Sequence, residues 1–238
     1  MKKISLEFPS MEDYRMVEGI NQLKTNIAFS GKDIRKILIT SSVSNEGKSA
    51  TSLRYARALT ENGKKVLLVD ADLRNSVLVS KRHIEGVEKG LSHYLSGQAE
   101  IEEVIYETPQ EGMYLTVAGP LSPDPTALLS SNSFEQYMKY AEENFDYVIV
   151  DAPPLGLVVD AAIIGQECDG AVIIIDHATV SRKMVQNVIK QLKRSDIRIL
   201  GAVLNKIDDR ASSDYYYNYH YSYGYGYGEQ RDTKKTTK

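Results

Sequence analysis

The run SSVSNEGKSATSLRYA, starting at Ser41, ends its loop in Gly47-Lys48-Ser49 and passes into a helix-forming stretch. A strand-like run, KILIT (36–40), stands directly before it. Strand, glycine-containing loop and helix in that order make a phosphate cradle. Backbone N–H groups at the helix start point at anionic oxygens, and the helix dipole favours negative charge there. Lys48 would supply a point charge to β- and γ-phosphates, and the Ser49 hydroxyl is a hard oxygen ligand for Mg²⁺. Ser44, Asn45, Glu46, Gly47, Lys48, Ser49 and Ala50 are therefore the candidate nucleotide-binding residues. Ser42 stands where such loops carry their first glycine.

Two more strand-like runs end in acids. VLLVD leads into ADLR, which gives Asp70 and Asp72, and DYVIVD leads into APP, which gives Asp151. Ligands of open parallel sheets bind outside the carboxyl ends of the strands, so all three acids are expected on the phosphate loop's rim. Such acids can also do no more than cap the next helix. Pro153-Pro154 weakens that reading for Asp151. Asp151 reads as the carboxylate that holds Mg²⁺ through water, and Asp70 or Asp72 is left to orient an incoming hydroxyl or accept its proton. The candidate catalytic groups are thus Lys48, Asp70 and Asp72, and the candidate metal-holding oxygens belong to Ser49, Asp70, Asp72 and Asp151.

Six runs would form the strands that position these groups: KILIT, VLLVD, YLTVAG (114–119), DYVIVD, GAVIIID (170–176) and IRILGAVLN (197–205). Several are apolar on both faces, as strands between two helical layers are. The segments between them suit crossover helices, one of which, SATSLRYARALTENGKK, has Gly63 as its C′ stop. The fold class is α/β, a P-loop NTPase-like, mostly parallel sheet flanked by helices on both faces, with a disordered C-terminal tail. Three segments result: an N-terminal helical segment (1–35), a P-loop domain (36–210) and a Tyr-rich tail (211–238). Ser10, with Asp13 three residues on, is the expected cap of the first helix, on which Tyr14, Val17, Ile20, Leu23 and Ile27 recur at helical spacing. That face either packs on the sheet or serves self-association.

A formal charge of −3 over 238 residues gives no footprint for nucleic acid. One cysteine, Cys168, fits a reducing compartment. The start, MKKISLEFPS, has no apolar signal region, and no apolar run is long enough to span a bilayer. The expected location is cytoplasmic, with membrane association only through a partner and no direct insertion. The four histidines form no metal-ligand spacing.

The tail holds Tyr215, Tyr216, Tyr217, Tyr219, Tyr221, Tyr223, Tyr225 and Tyr227 among glycine, serine, asparagine and histidine, without an aliphatic residue. Such a segment cannot offset its ordering entropy. Alone, it reads as an aromatic low-complexity segment that associates by stacking.

The motifs SSVSNEGKSA, LLVDADLR and VIVDAPP, with the tail, resemble the Walker A, A′ and B motifs and tyrosine cluster of the bacterial tyrosine kinases. GPLSPDPTALLSS (119–131) also resembles a segment of that family, and the likeness runs over nearly the whole chain. The resemblance implies transfer of the ATP γ-phosphate, with Mg²⁺, to the eight tail tyrosines; about ten residues lie between Ala211 and the middle of the cluster, a reach on the order of 17 Å, which favours transfer between protomers. It also implies a membrane adaptor that activates the kinase through a cytosolic segment, recruitment to the inner face of the membrane, homo-oligomerisation, a cognate phosphotyrosine phosphatase, and a role in capsule or exopolysaccharide synthesis. Asn205 in LNKID matches a position that contacts adenine. The family's Glu-x-x-Arg-x-x-Arg oligomerisation motif stands here as Glu18, Asn21 and Lys24, without bidentate arginine pairing. Phosphates on the tail, each adding about −1.5 to −2 charges, would loosen self-association or adaptor binding.

Other readings share the loop. A partitioning-class ATPase would have the same fold, but neither the tail nor the serines and valine at 42–44 favours it. Asn205-Lys206-x-Asp208 looks like a guanine-reading motif and suggests a GTPase. A nucleotide-gated adaptor without kinase activity is the third.

Overall fold

The computed structural model describes residues 1–11 and 13–207. Residues Met1–Asn205 form one compact unit. Its strands are β1 (Lys2–Lys3), β2 (Lys36–Ser41), β3 (Val66–Asp70), β4 (Tyr106–Glu107), β5 (Met113–Thr116), β6 (Tyr147–Asp151), β7 (Gly170–Asp176) and β8 (Ile199–Asn205). Its helices are α1 (Tyr14–Ser30), α2 (Lys48–Thr60), α3 (Leu78–Lys81), α4 (Leu91–Leu95), α5 (Ile101–Val104), α6 (Pro125–Leu129), α7 (Asn132–Asn144), α8 (Asp160–Gly165) and α9 (Arg182–Arg194).

The sheet runs β1-β4-β5-β3-β6-β2-β7-β8. From β5 to β8 every pairing is parallel, and among the described strands only the β4–β5 pair is antiparallel. All six runs predicted as strands form strands. The two-residue β1 and β4, which extend the sheet past β5, are too short to carry a pattern.

Alternation along β2 explains the two apolar layers. Ile37 and Ile39 join Ile27, Leu53, Ala56 and Leu59 beneath α1 and α2. Leu38 joins Phe134, Tyr137, Ala161 and Val188 beneath α7, α8 and α9. A strand covered on both sides must be apolar at every position, and each fully buried Ile or Leu contributes about 1.5–3 kcal/mol.

The first helix corrects one expectation. Its N-cap is Asp13, whose carboxylate accepts from Arg15 N at 2.9 Å. Ser10 lies a turn too early, and its carbonyl accepts from Arg54 Nε at 3.1 Å. Ile20 and Ile27 are buried, Val17 and Leu23 half-buried, and Tyr14 is 78% exposed. The apolar face is therefore real but begins a turn beyond Tyr14. Among the described residues no helix is long and apolar enough to cross a membrane.

Candidate active site

The phosphate loop leaves the C-terminal end of β2, between β6 and β7, and turns into α2. Two of its residues have left-handed backbones, Asn45 (φ 65°) and Gly47 (φ 96°). Asparagine tolerates that region better than most residues do. At Gly47 a Cβ would stand 2.1 Å from Asn205 Nδ2, so glycine is needed for room as well as for φ.

Glu46 is buried, with its carboxylate turned into the loop. Oε1 accepts from Ser42 N (2.6 Å) and Val43 N (2.7 Å), and Oε2 accepts from Asp176 N at the end of β7 (2.9 Å). The Glu46 side chain is thus engaged with backbone on the inner side of the loop. Asn205 behaves similarly. Its amide donates to the Glu46 carbonyl at 2.9 Å, which leaves its second N–H and its amide oxygen for any base contact.

Lys48 follows directly and is 9% exposed. Burial holds its ammonium below the ordinary lysine range, against the attraction of Asp151, Asp72 and Glu46. The cation and two of the predicted acids are therefore neighbours. Asp151 ends β6, is hydrogen-bonded to Ser49, and accepts from Ser52 Oγ at 3.5 Å. Asp70 is its register partner on β3. Burial holds both carboxyls above the usual carboxylate range; Asp151's charge adds to the rise at Asp70, while Ser49 and Lys48 oppose it at Asp151.

Asp70 Oδ2 accepts from Ser76 Oγ, and Oδ1 accepts from Asp72 N at 3.3 Å. Asp72 Oδ1 accepts from Arg74 N (3.3 Å) and Asn75 N (2.9 Å), an Asx turn that closes loop 70–76 on itself. Asp72 is half-buried, and its Oδ2 lies outside these bonds.

Among the described residues no three His, Cys, Asp or Glu converge as a metal cage. The donor set nonetheless suits Mg²⁺ bound with a nucleotide. Ser49 and Asp151 bring two hard oxygens together at the N-terminus of α2, which no side chain caps. Mg²⁺ commonly takes one or two carboxylates and completes its shell with water and phosphate oxygens.

Sequence reasoning missed the residues that hold this rim. Thr40 Oγ1 donates to Pro153 O (2.9 Å) and accepts from Leu155 N (3.1 Å), tying the loop after Asp151 to β2. Gly156 passes so close that a Cβ there would lie 2.1 Å from Ser42 O. Arg74 reaches Asp160, a buried acid at the start of α8 that carries no motif. Glu18, Asn21 and Lys24 lie on α1 and take no part in these bonds. Tyr215, Tyr216, Tyr217, Tyr219, Tyr221, Tyr223, Tyr225 and Tyr227 lie outside the described residues, as does Asp208.

A family model described as an AAA domain matches residues 34–200. Tyrosine-protein kinase CpsD of Streptococcus agalactiae is 41% identical over 196 residues, covering 82% of this chain and 86% of that protein. The kinase domain of the Escherichia coli tyrosine kinase ETK has a TM-score of 0.77 at 30% identity, over 89% of this chain and 80% of that one. The septum site-determining protein MinD of Pyrococcus horikoshii, solved with Mg-ADP, has a TM-score of 0.63 at 26% identity, over 76% of both chains.

Proposed function

Because this chain belongs to the bacterial tyrosine kinases and carries an AAA domain, we propose that it transfers the ATP γ-phosphate to the tyrosines of its own C-terminal segment. The observation that carries the reading is the meeting of Lys48, Asp72 and Asp151 at the end of the phosphate loop. The greater similarity to kinases than to MinD favours it over a partitioning ATPase.

Each residue has a task. The N–H groups opening α2 and the Lys48 ammonium hold the phosphates. Ser49 and Asp151 would hold Mg²⁺, which when bound withdraws charge from the phosphate oxygens and steadies the leaving diphosphate. Of the two candidate bases, Asp72 is the better placed. Both Asp70 oxygens have donors within its own loop and the side chain is buried, whereas Asp72 is half-exposed with Oδ2 outside the loop's bonds. Asp72 would accept the phenol proton as the oxygen attacks the γ-phosphorus. Asp70, beside Asp151, would steady the loop and the ion.

Transfer runs between protomers of a homo-oligomer, with α1 as the oligomerisation element through Glu18, Asn21 and Lys24. A membrane adaptor activates the kinase and recruits it to the membrane's inner face, and a phosphatase resets it. The process served is capsule or exopolysaccharide synthesis. Mixing full-length wild type with isotopically heavy, full-length Lys48→Met tests the transfer. Phosphate on heavy peptides from 215–227 is the expected result. Phosphate confined to light peptides contradicts transfer between protomers, and none on either contradicts the kinase reading.

A further inference from the structure

Arg74 stands two residues beyond Asp72, and its side chain leaves the loop altogether. Its guanidinium grips Asp160 at two points, Nε to Oδ2 at 2.5 Å and Nη2 to Oδ1 at 2.9 Å. Thr126 on α6 closes the third side. Its hydroxyl accepts from Arg74 Nη2 at 2.8 Å and donates to Asp160 Oδ1 at 2.9 Å. Asp160 is fully buried at the first position of α8, while the Arg74 side chain is 38% exposed.

Two features set this apart from an ordinary surface ion pair. Burying a carboxylate costs free energy, and an apolar pair of similar volume commonly serves a fold at least as well. The arginine's other end is the backbone N–H that bonds Asp72 Oδ1. A two-point fork on a fixed carboxylate allows little rotation. The position of Arg74 therefore sets where Asp72 points, and Asp160 sets the position of Arg74.

We propose that Asp160 is a positioning residue for phosphoryl transfer, acting through Arg74, with Thr126 as its brace, to hold loop 70–76 and the Asp72 carboxylate in register with the phosphate loop. The inference rests on the kinase reading given above. It separates two tasks in the site: Lys48 and the phosphate loop bind nucleotide, and the Arg74–Asp160–Thr126 clamp aims the base.

The test uses full-length Asp160→Asn, Arg74→Lys, Thr126→Val and the double variant Arg74→Lys/Asp160→Asn. Two quantities are read: kcat for tyrosine phosphorylation, and the Kd of a fluorescent ATP analogue. Each clamp single is expected to lose at least tenfold in kcat with Kd within threefold of wild type, and Thr126→Val less. The double variant should fall no further than the worse single, because both act through one contact. Losses that multiply, a Kd that rises in step with kcat, or an unchanged kcat would each overturn the clamp. If Asp160→Asn does not fold, Arg74→Lys and Thr126→Val decide on the same split. A wild type that leaves tyrosine unmodified while binding nucleotide would instead sink the kinase reading, and the clamp with it.

Discussion

Asp70 and Asp151 are register partners at the ends of the adjacent parallel strands β3 and β6, and they are 1% and 3% exposed. Two carboxylates side by side away from water suit a site that must hold a cation and destabilise the same chain without one. Asp70→Asn keeps the shape and removes one charge. In EDTA it is expected to raise the unfolding free energy by about 1–2 kcal/mol, while tyrosine phosphorylation falls to background. Thermal unfolding and a phosphotyrosine assay on the same preparation check both halves.

Glu46 is the acceptor for three backbone N–H groups from two parts of the chain. Glu46→Ala leaves two buried donors and one half-buried donor without that acceptor and is expected to cost about 3 kcal/mol in urea unfolding. Nucleotide affinity should fall with it, because the loop loses its inner brace. Unchanged stability would show that the loop holds its shape without the carboxylate.

Gly156 has an ordinary backbone but no room beside it, since a Cβ would lie 2.1 Å from the Ser42 carbonyl oxygen. Gly156→Ala must push apart the phosphate loop and the segment after Asp151. The expected result is a folded protein with phosphorylation reduced about a hundredfold, the scale of an ångström's misplacement in an active site. Circular dichroism and steady-state kinetics separate that from unfolding.

Away from the site, Glu142 accepts from Lys36 Nζ at 2.6 Å and Arg35 Nη2 at 3.1 Å, joining α7 to the start of β2. These bonds, the Lys36 one foremost, hold its carboxyl below the ordinary 4.5. A depressed carboxyl contributes stability above its unfolded-state value and loses it as pH falls through the folded one. Glu142→Gln should therefore be less stable at pH 7, by up to about 0.5 kcal/mol for a pair this exposed, with the gap closing as pH falls below that ordinary value. Paired denaturation curves at the two pH values read it directly.

Much of this was legible in the sequence, and the misses have physical causes. The strands were readable because a strand covered on both faces has to be apolar throughout, as KILIT and VLLVD are. The places of Lys48, Asp70, Asp72 and Asp151 were readable because Asp70 and Asp151 end strands, Asp72 follows one by two residues and Lys48 opens the next helix. Asp160 was not, because its partner Arg74 is 86 positions away and Val159-Asp160-Ala161 looks like any helix start. The inner bracing by Glu46 was not legible either, since acidity next to Gly-Lys-Ser does not reveal that the side chain folds back on Ser42 and Val43. Ser10 and Asp13 have the spacing of a capping box, but the helix begins where the Asp13 carboxylate accepts from Arg15 N.

The central claim is that this loop and its carboxylates phosphorylate the chain's own tyrosines. Peptide-resolved mass spectrometry after incubation with ATP and Mg²⁺ tests it most directly, on wild type beside Lys48→Met, with and without the cytosolic segment of the proposed membrane adaptor. The account expects phosphate on Tyr215 to Tyr227 in wild type alone. Nucleotide bound and no phosphotyrosine in either protein, with or without the segment, would contradict it.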